Sequence, residues 1–359
     1  MKNPIITQPL SDQVLMIGVY YKHHAPGGMA SVVQYYEPYF ETFHYIASWR
    51  SSKRWSVLYY ALTALVKAVF RLVTDKRIKV LHIHTAADGS FWRKSCFLRI
   101  GKRMGKRVIL HVHASRFKDF YAESSKKEKI CRNLNMADRV IVLSESWKEW
   151  FESIGVESSK LVVLHNITAY PEKTEDREQD GKVHFLFLGE IGERKGVFDI
   201  LRALHIHKAE MEGKLELRIG GNKNEELLIK TIRDYGLEET VRFEGWVGGE
   251  KKKSLLNWAD VYILPSFNEG LPIGILEAMS YGCAVISTPV GGIPEVVKEG
   301  KNGCLVAPGN AEEIATAMLS FAEDRSLASR YGQEGEKEVE TYLPAHVLQH
   351  LKTIYTSLL

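Results

Sequence analysis

Cysteine is scarce in this chain and widely scattered. Cys96, Cys131, Cys283 and Cys304 are the four among 359 residues, and no two of them have the spacing of a metal clip or a redox pair. A disulfide scaffold and a cysteine-ligated zinc site are therefore excluded, and free thiols in a reducing cytoplasm are expected. Long apolar runs are missing too. The most apolar stretch, Trp55–Val66, is followed by Lys67 and Arg71 and falls short of the ~20 residues that a spanning helix needs. No membrane-spanning helix is expected. The opening residues, MKNPIITQPLSDQ, lack the basic-then-apolar order of a signal peptide. No G-x-G-x-x-G fingerprint and no D-x-D occurs, which argues against a dinucleotide site and against a carboxylate-held cation.

What is present is ordinary globular composition with uneven charge. The 359 residues exceed what one core usually holds, so two domains are expected. Net charge is +4, yet residues 1–170 hold 26 Lys and Arg against 13 Asp and Glu, and the remainder is acidic. Such asymmetry bears on partners, not on fold.

Short Val/Ile/Leu-rich runs alternate with longer helical patterns. The first half offers strands at Val14–Val19, Thr42–Ala47, Lys79–Ile83, Arg107–Val112, Arg139–Leu143 and Leu161–Leu164, with helices such as Met29–Tyr39, Trp55–Val73, Phe91–Arg103 and Ser146–Ile154. Strands without polar alternation are buried on both faces, so a parallel, doubly wound α/β sheet is expected. A polar stretch over 171–182 reads as a linker. The alternation then restarts with Val183–Leu188, Leu215–Ile219, Val241–Phe243, Val261–Leu264 and Ala284–Ser287. The reading is an N-terminal Rossmann-like domain over 1–170, a linker, a second such domain over 183–343, and a final amphipathic helix over 344–359 that packs back toward the first domain. Two such domains form a cleft, and ligands bind beyond the carboxyl ends of the strands.

The chemistry concentrates in PSFNEGLPIGILEAM, Pro265–Met279. A buried strand ends at Leu264, a loop carries Glu269, and Pro272 suits the first turn of a helix that holds Glu277. Gly270 lets backbone approach a ligand, and the helix start favours an anion. A carboxylate beside a phosphate site is better employed accepting hydrogen bonds from hydroxyls, and a diol supplies two. Phosphate with flanking hydroxyls describes a nucleotide-sugar. By spacing alone, a solvated loop residue and a surface helix residue are the favoured reading of the two glutamates.

The wider stretch LPSFNEGLPIGILEAMSYGCAVISTPVGGIPEVV, Leu264–Val297, resembles the signature of the large retaining glycosyltransferase family called family four, which has the GT-B fold of two Rossmann-like domains facing across a cleft. The Glu269–Glu277 element, Gly282, Gly291, Gly292 and Glu295 carry the match, and NGCLVAPG, Asn302–Gly309, extends it. The resemblance implies that Glu277 holds the donor ribose, that Glu269 lies at the donor sugar, and that the amides of Gly270, Leu271 and Ile273 face sugar and diphosphate. In FLGEIGERKGVFDIL, Phe187–Leu201, it gives Arg194 and Lys195 the leaving diphosphate, although cations at a helix start are common without a ligand. Glu190 departs from the family's usual arginine after the glycine, and orienting one of these two cations is a role open to it.

Similar enzymes use a glycine pair beside the donor phosphate, matched by Gly27 and Gly28, and a histidine after a strand at the donor sugar, matched by His113. His82 and His111 read as structural, His84 is undecided and Asn166 reads as structural. The pairs His82/His84 and His111/His113 suggest a metal by spacing, but nothing completes a site, and no metal cofactor is expected. FEGWV, Phe243–Val247, falls where the family binds the base, with Trp246 and Val247 as candidates.

The expectation is a retaining glycosyltransferase acting from a nucleotide-sugar, UDP by the family's habits, on a saccharide or lipid-linked acceptor in bacterial surface polysaccharide or glycoconjugate synthesis. The basic half suggests docking on an anionic membrane surface from the cytoplasmic side; no recognition motif supports nucleic acid. A nucleotide-sugar epimerase on the same fold and a non-catalytic nucleotide-sugar binder are the alternatives.

Overall fold

The computed structural model describes residues 3–22, 27–50, 54–174 and 180–359. Parts of the glycine-pair loop, of the basic Arg50–Arg77 stretch and of the 171–182 linker lie outside the described residues. The chain divides into two compact units, one of Met1–Thr168 with Tyr342–Leu359, the other of Ala169–Thr341.

The first unit holds a parallel sheet of β1 (Val14–Gly18), β2 (His44–Ala47), β3 (Val80–Thr85), β4 (Arg107–Val112), β5 (Arg139–Val142) and β6 (Leu161–Val163), in the order β2-β1-β3-β4-β5-β6. Between the strands run α1 (Gly28–Tyr36), α2 (Arg54–Thr74), α3 (Asp88–Arg103), α4 (Phe117–Glu123), α5 (Lys127–Met136) and α6 (Glu145–Ser153). All five residues of β1 are buried, as strands covered on both faces must be. One continuous core joins α2, α3, α5 and α6 to one face of this sheet through Ala68, Phe97, Leu134 and Phe151 among others. Local chemistry marks helix ends: the Ser144 hydroxyl accepts the Trp147 amide at 3.3 Å and caps α6.

α2 departs from expectation. Its apolar character continues past Lys67, and Val57–Thr74 is by length and composition apolar enough to cross a membrane. Lys67 and Arg71 interrupt the run in sequence without ending the helix. In the folded unit Ala64, Ala68 and Leu72, spaced by four, are each about 1 % exposed within the core, so this helix is packed along the sheet.

The final helix, Pro344–Thr356, starts with Pro in its first turn. It buries Val347, Leu348, Leu351, Ile354 and Tyr355 in the first unit. The Tyr355 hydroxyl hydrogen-bonds His82 Nδ1 at 2.6 Å.

The second unit holds β7 (Val183–Leu188), β8 (Leu215–Gly220), β9 (Val241–Phe243), β10 (Val261–Leu264), β11 (Ala284–Ser287) and β12 (Gly303–Leu305), ordered β12-β11-β10-β7-β8-β9 and parallel throughout. β12 was not expected. Three residues within a turn-rich stretch give no strand pattern; pairing with β11, Val285 opposite Gly303, makes the strand. From β7 the chain moves outward to β8 and β9, then returns beside β7 at β10 and moves outward the other way. The border between β7 and β10 is therefore the switch point at which open α/β sheets hold ligands.

Candidate functional site

Two loops meet at that switch point. One, Gly189–Gly196, follows β7; the other, Pro265–Pro272, follows β10. The Phe267 amide donates to the Arg194 carbonyl at 2.9 Å and ties them. Gly196 makes the approach possible. Its φ is +72°, and a Cβ there would sit 2.2 Å from the Pro265 carbonyl oxygen, so a side chain is excluded on two counts.

This brings Lys195 Nζ to donate to Glu269 Oε1. Arg194 Nη1 lies 3.9 Å from the same oxygen and donates to the Asn268 carbonyl at 3.2 Å. Glu269 is 7 % exposed. A carboxylate so placed must be paired, and Lys195 supplies the counter-charge. The arrangement is a buried anion with one close cation and a second, more exposed one behind it. Glu190, by contrast, pairs with Lys223 at 2.8 Å. Its partner is neither Arg194 nor Lys195, because its side chain turns toward the loop after β8.

The helix Ile273–Ser280 begins one residue later than Pro272, which occupies the capping position with extended backbone. Gly270, Leu271 and Ile273 are buried on this loop and helix start. Glu277, also buried, accepts from Lys252 Nζ at 2.6 Å. Lys252 comes from the helix Gly249–Trp258, and sequence reasoning missed it because it stands in a run of three lysines that reads as a solvated face. Trp246, 45 % exposed, and Val247 follow β9. Val247 lies over Gly220 at the end of β8, and the Gly221 amide donates to the Gly245 carbonyl at 2.8 Å.

The Gly291–Gly292 pair serves the Glu269 loop from below. The Gly292 amide donates to the Gly270 carbonyl at 2.6 Å. Gly291 has φ +59°, and a Cβ there would sit 2.0 Å from the Glu269 carbonyl oxygen. Gly291→Ala is expected to displace this loop and to cost about 2 kcal/mol or more, since left-handed backbone alone costs a non-glycine residue roughly 1–2 kcal/mol. Thermal unfolding with and without nucleotide checks this; an unchanged midpoint would remove the bracing role.

The remaining candidates belong to the first unit. Gly27, with φ +106°, opens α1 and its carbonyl accepts the Ala30 amide at 3.0 Å. His113 follows β4, its amide donating to the Thr85 carbonyl at 2.9 Å. Its ring is hydrogen-bonded to His84, Nε2 to Nδ1 at 2.9 Å, and His82 Nε2 is bonded to His111 Nδ1 at 3.2 Å. With register pairing His84 to His111 on β3 and β4, the four imidazoles form a two-by-two cluster, stacked pairwise along and across the strands with centroids 4.1 to 5.4 Å apart. Burial pushes all four below the ordinary histidine range, His82 and His113 to about 3, so the rings are neutral at pH 7. His82, His84 and His111 each offer a nitrogen within 4.8 Å of the others. By proximity they could hold a metal, but both nitrogens of His82 are already engaged. Asn166 is buried at 6 % exposure, two residues from the end of the first segment of this unit.

Beneath the loop that leaves β1 lies Lys94, 2 % exposed, donating to the Gly18 carbonyl at 3.0 Å and to the Ser48 hydroxyl. Burial, with Arg93 nearby, pushes its ammonium down to about 7. Its sequence context, a helix with several cations, gave no sign of this.

Comparison with known proteins agrees with this architecture. Residues 26–168 match the family described as Glycosyltransferase Family 4, and residues 171–338 match Glycosyl transferases group 1. Among relatives, the chain is 26 % identical over 257 residues to the amylovoran biosynthesis glycosyltransferase AmsK of Erwinia amylovora, covering 69 % of this chain and 60 % of that one. It is 27 % identical over 194 residues to the putative colanic acid biosynthesis glycosyltransferase WcaL of Salmonella typhimurium, covering 52 % and 48 %. The matches thus span about half to three fifths of these relatives' length. Among solved structures, sucrose-phosphate synthase from Thermosynechococcus elongatus superposes with a TM-score of 0.80 at 16 % identity over 96 % of this chain and 98 % of that one. Anabaena HepE in complex with UDP and glucose does so at 0.72 and 15 %, over 96 % and 100 %. With both halves matched and two doubly wound parallel units, the chain belongs to the family-four glycosyltransferases of the GT-B fold.

Proposed function

We propose that this protein transfers a glycosyl group from a nucleotide-diphosphate-sugar, with UDP as the nucleotide, to a hydroxyl of a saccharide or lipid-linked acceptor, with retention at the anomeric carbon. The observation that carries the reading is the Lys195–Glu269 pair at the switch point, backed by Arg194. The anomeric C–O bond to the diphosphate breaks and its electron pair leaves with the phosphate oxygen; Lys195 and Arg194 meet that charge. Glu269, released from Lys195 by the incoming phosphate, is left facing sugar hydroxyls. The acceptor hydroxyl attacks from the face that the diphosphate leaves and passes its proton to the departing phosphate oxygen, and positioning supplies much of the rate. No metal is assigned a role.

Support for the nucleotide comes from the neighbours: HepE was solved with UDP and glucose, and the pneumococcal O-GlcNAc transferase GtfA with UDP and GlcNAc. Support for polysaccharide synthesis comes from the relatives named for amylovoran and colanic acid.

Glu277 holds the ribose in this reading, exchanging Lys252 for a diol. Glu277→Ala is expected to weaken UDP binding by about 10–100-fold, the size of a lost charge-assisted hydrogen bond or two. Calorimetric titration of UDP checks it. A UDP affinity equal to wild type would overturn the assignment. Conversion of donor with no acceptor present would indicate an epimerase, and tight UDP binding with no turnover on any acceptor a binding protein.

A further inference from the structure

We infer that α2 is an interfacial helix that lies flat on an anionic lipid bilayer with its outer face in the headgroup region. Six large apolar side chains of this helix are at least half exposed: Leu58, Tyr59, Leu62, Val66, Phe70 and Val73, at 50–65 %. At ~100° per residue they fall within one continuous arc of about 120°. The core-facing residues Ala64, Ala68 and Leu72 occupy a separate arc, and Lys67 lies between the two, exposed. A helix of a water-soluble layer normally shows polar residues where these six stand. An apolar arc flanked by a polar one that carries a cation is the pattern of a helix held in the plane of a membrane.

Charge selects the occupant. α2, α3 and α5 are packed side by side on one face of the sheet. Between α3 and α5 opens a concavity of about 630 Å³ lined by Arg99, Lys126, Lys127, Lys129 and Arg132 against Glu128 alone. Exposed Lys76 stands two positions past the end of α2, beyond Asp75, which Arg77 pairs. A second copy of the chain would bring the same cations against these; an anionic surface complements both the apolar arc and the basic layer, each basic group close to it adding to the attraction. The surface also stands without the catalytic reading, since it involves none of its residues.

The test is co-sedimentation of the full chain with vesicles of phosphatidylcholine alone and of phosphatidylcholine with phosphatidylglycerol, for wild type and for the double variant Leu62→Glu, Val66→Glu. UDP titration controls for folding and for the donor site. Expected is binding to the phosphatidylglycerol vesicles at least tenfold stronger than to phosphatidylcholine alone. The double variant should lose at least tenfold with UDP affinity unchanged. Equal binding to both vesicles, or wild-type binding by the double variant, would overturn the inference. So would a dimer of the wild type in gel filtration that the double variant converts to monomer, because a second copy would then cover the helix.

Discussion

Lys195→Ala is expected to lower turnover by about 10²–10³-fold, the range found when one preorganised donor is removed from a developing anion, while KM for the donor changes far less. The asymmetry follows from timing. Taking the ammonium from Glu269 offsets most of what it gains from the bound diphosphate, so its net contribution is small in the ground state and largest when the departing diphosphate gains charge. The substitution also leaves Glu269 buried without its counter-charge, a destabilisation of roughly 3–5 kcal/mol when one partner of such a pair is removed. A double variant, Lys195→Ala with Glu269→Gln, separates the two effects: its unfolding midpoint should recover and its turnover should not. Steady-state kinetics with both variants decide the matter. Full activity in Lys195→Ala would remove the switch-point pair from the chemistry.

Acid should unfold the first unit, and steeply. His82, His84, His111 and His113 are all held below their ordinary range, with burial the largest cause. Their folded forms stay neutral while the unfolded chain takes up protons near pH ~6.5. The unfolded state then binds more protons, so their contribution to stability is intact above pH ~6.5 and is lost progressively as pH falls below it. Each imidazole accounts for up to about 1.4 kcal/mol per pH unit, and four for roughly 5. The loss between about pH 6.5 and about pH 5, up to roughly 8 kcal/mol, is comparable with a whole domain stability of about 5–15 kcal/mol. Hydrogen exchange followed region by region at both pH values is the measurement. β3 and β4 should lose protection at the lower pH, and protection there that is flat across this range would contradict the neutral cluster.

The two expectations differ in how far the sequence foretold them. Lys195 and Glu269 were legible only through the family resemblance: local pattern set each in a loop after a strand, with β7 and β10 at the bounds read from their apolar runs, but taken alone it favoured solvated side chains. What brings the two side chains together is the sheet order, which no local pattern carries. Lys252 and Lys223 were illegible for that reason: each is a surface-type lysine until folding places it beside Glu277 or Glu190. The histidine cluster is similar. Alternation put His82 and His84 on one strand face and His111 and His113 on another, but their union depends on β3 lying next to β4 in register. β12 was missed because three residues without apolar alternation become a strand only through their partner. The outer face of α2 was illegible in another way, because an apolar residue has no mark that tells which neighbour, if any, covers it.

Tyr355 and the helix around it complete the first unit from the far end of the chain, 273 positions from His82 in sequence. During synthesis from the N-terminus, the second unit has all of its residues before the first does. The earlier-made sheet must wait with the His82 side of β3 uncovered until residues 342–359 emerge. A chain cut at Thr168 would therefore be a folding intermediate, and supplying the Pro344–Thr356 segment as a separate peptide is the direct way to let that intermediate finish.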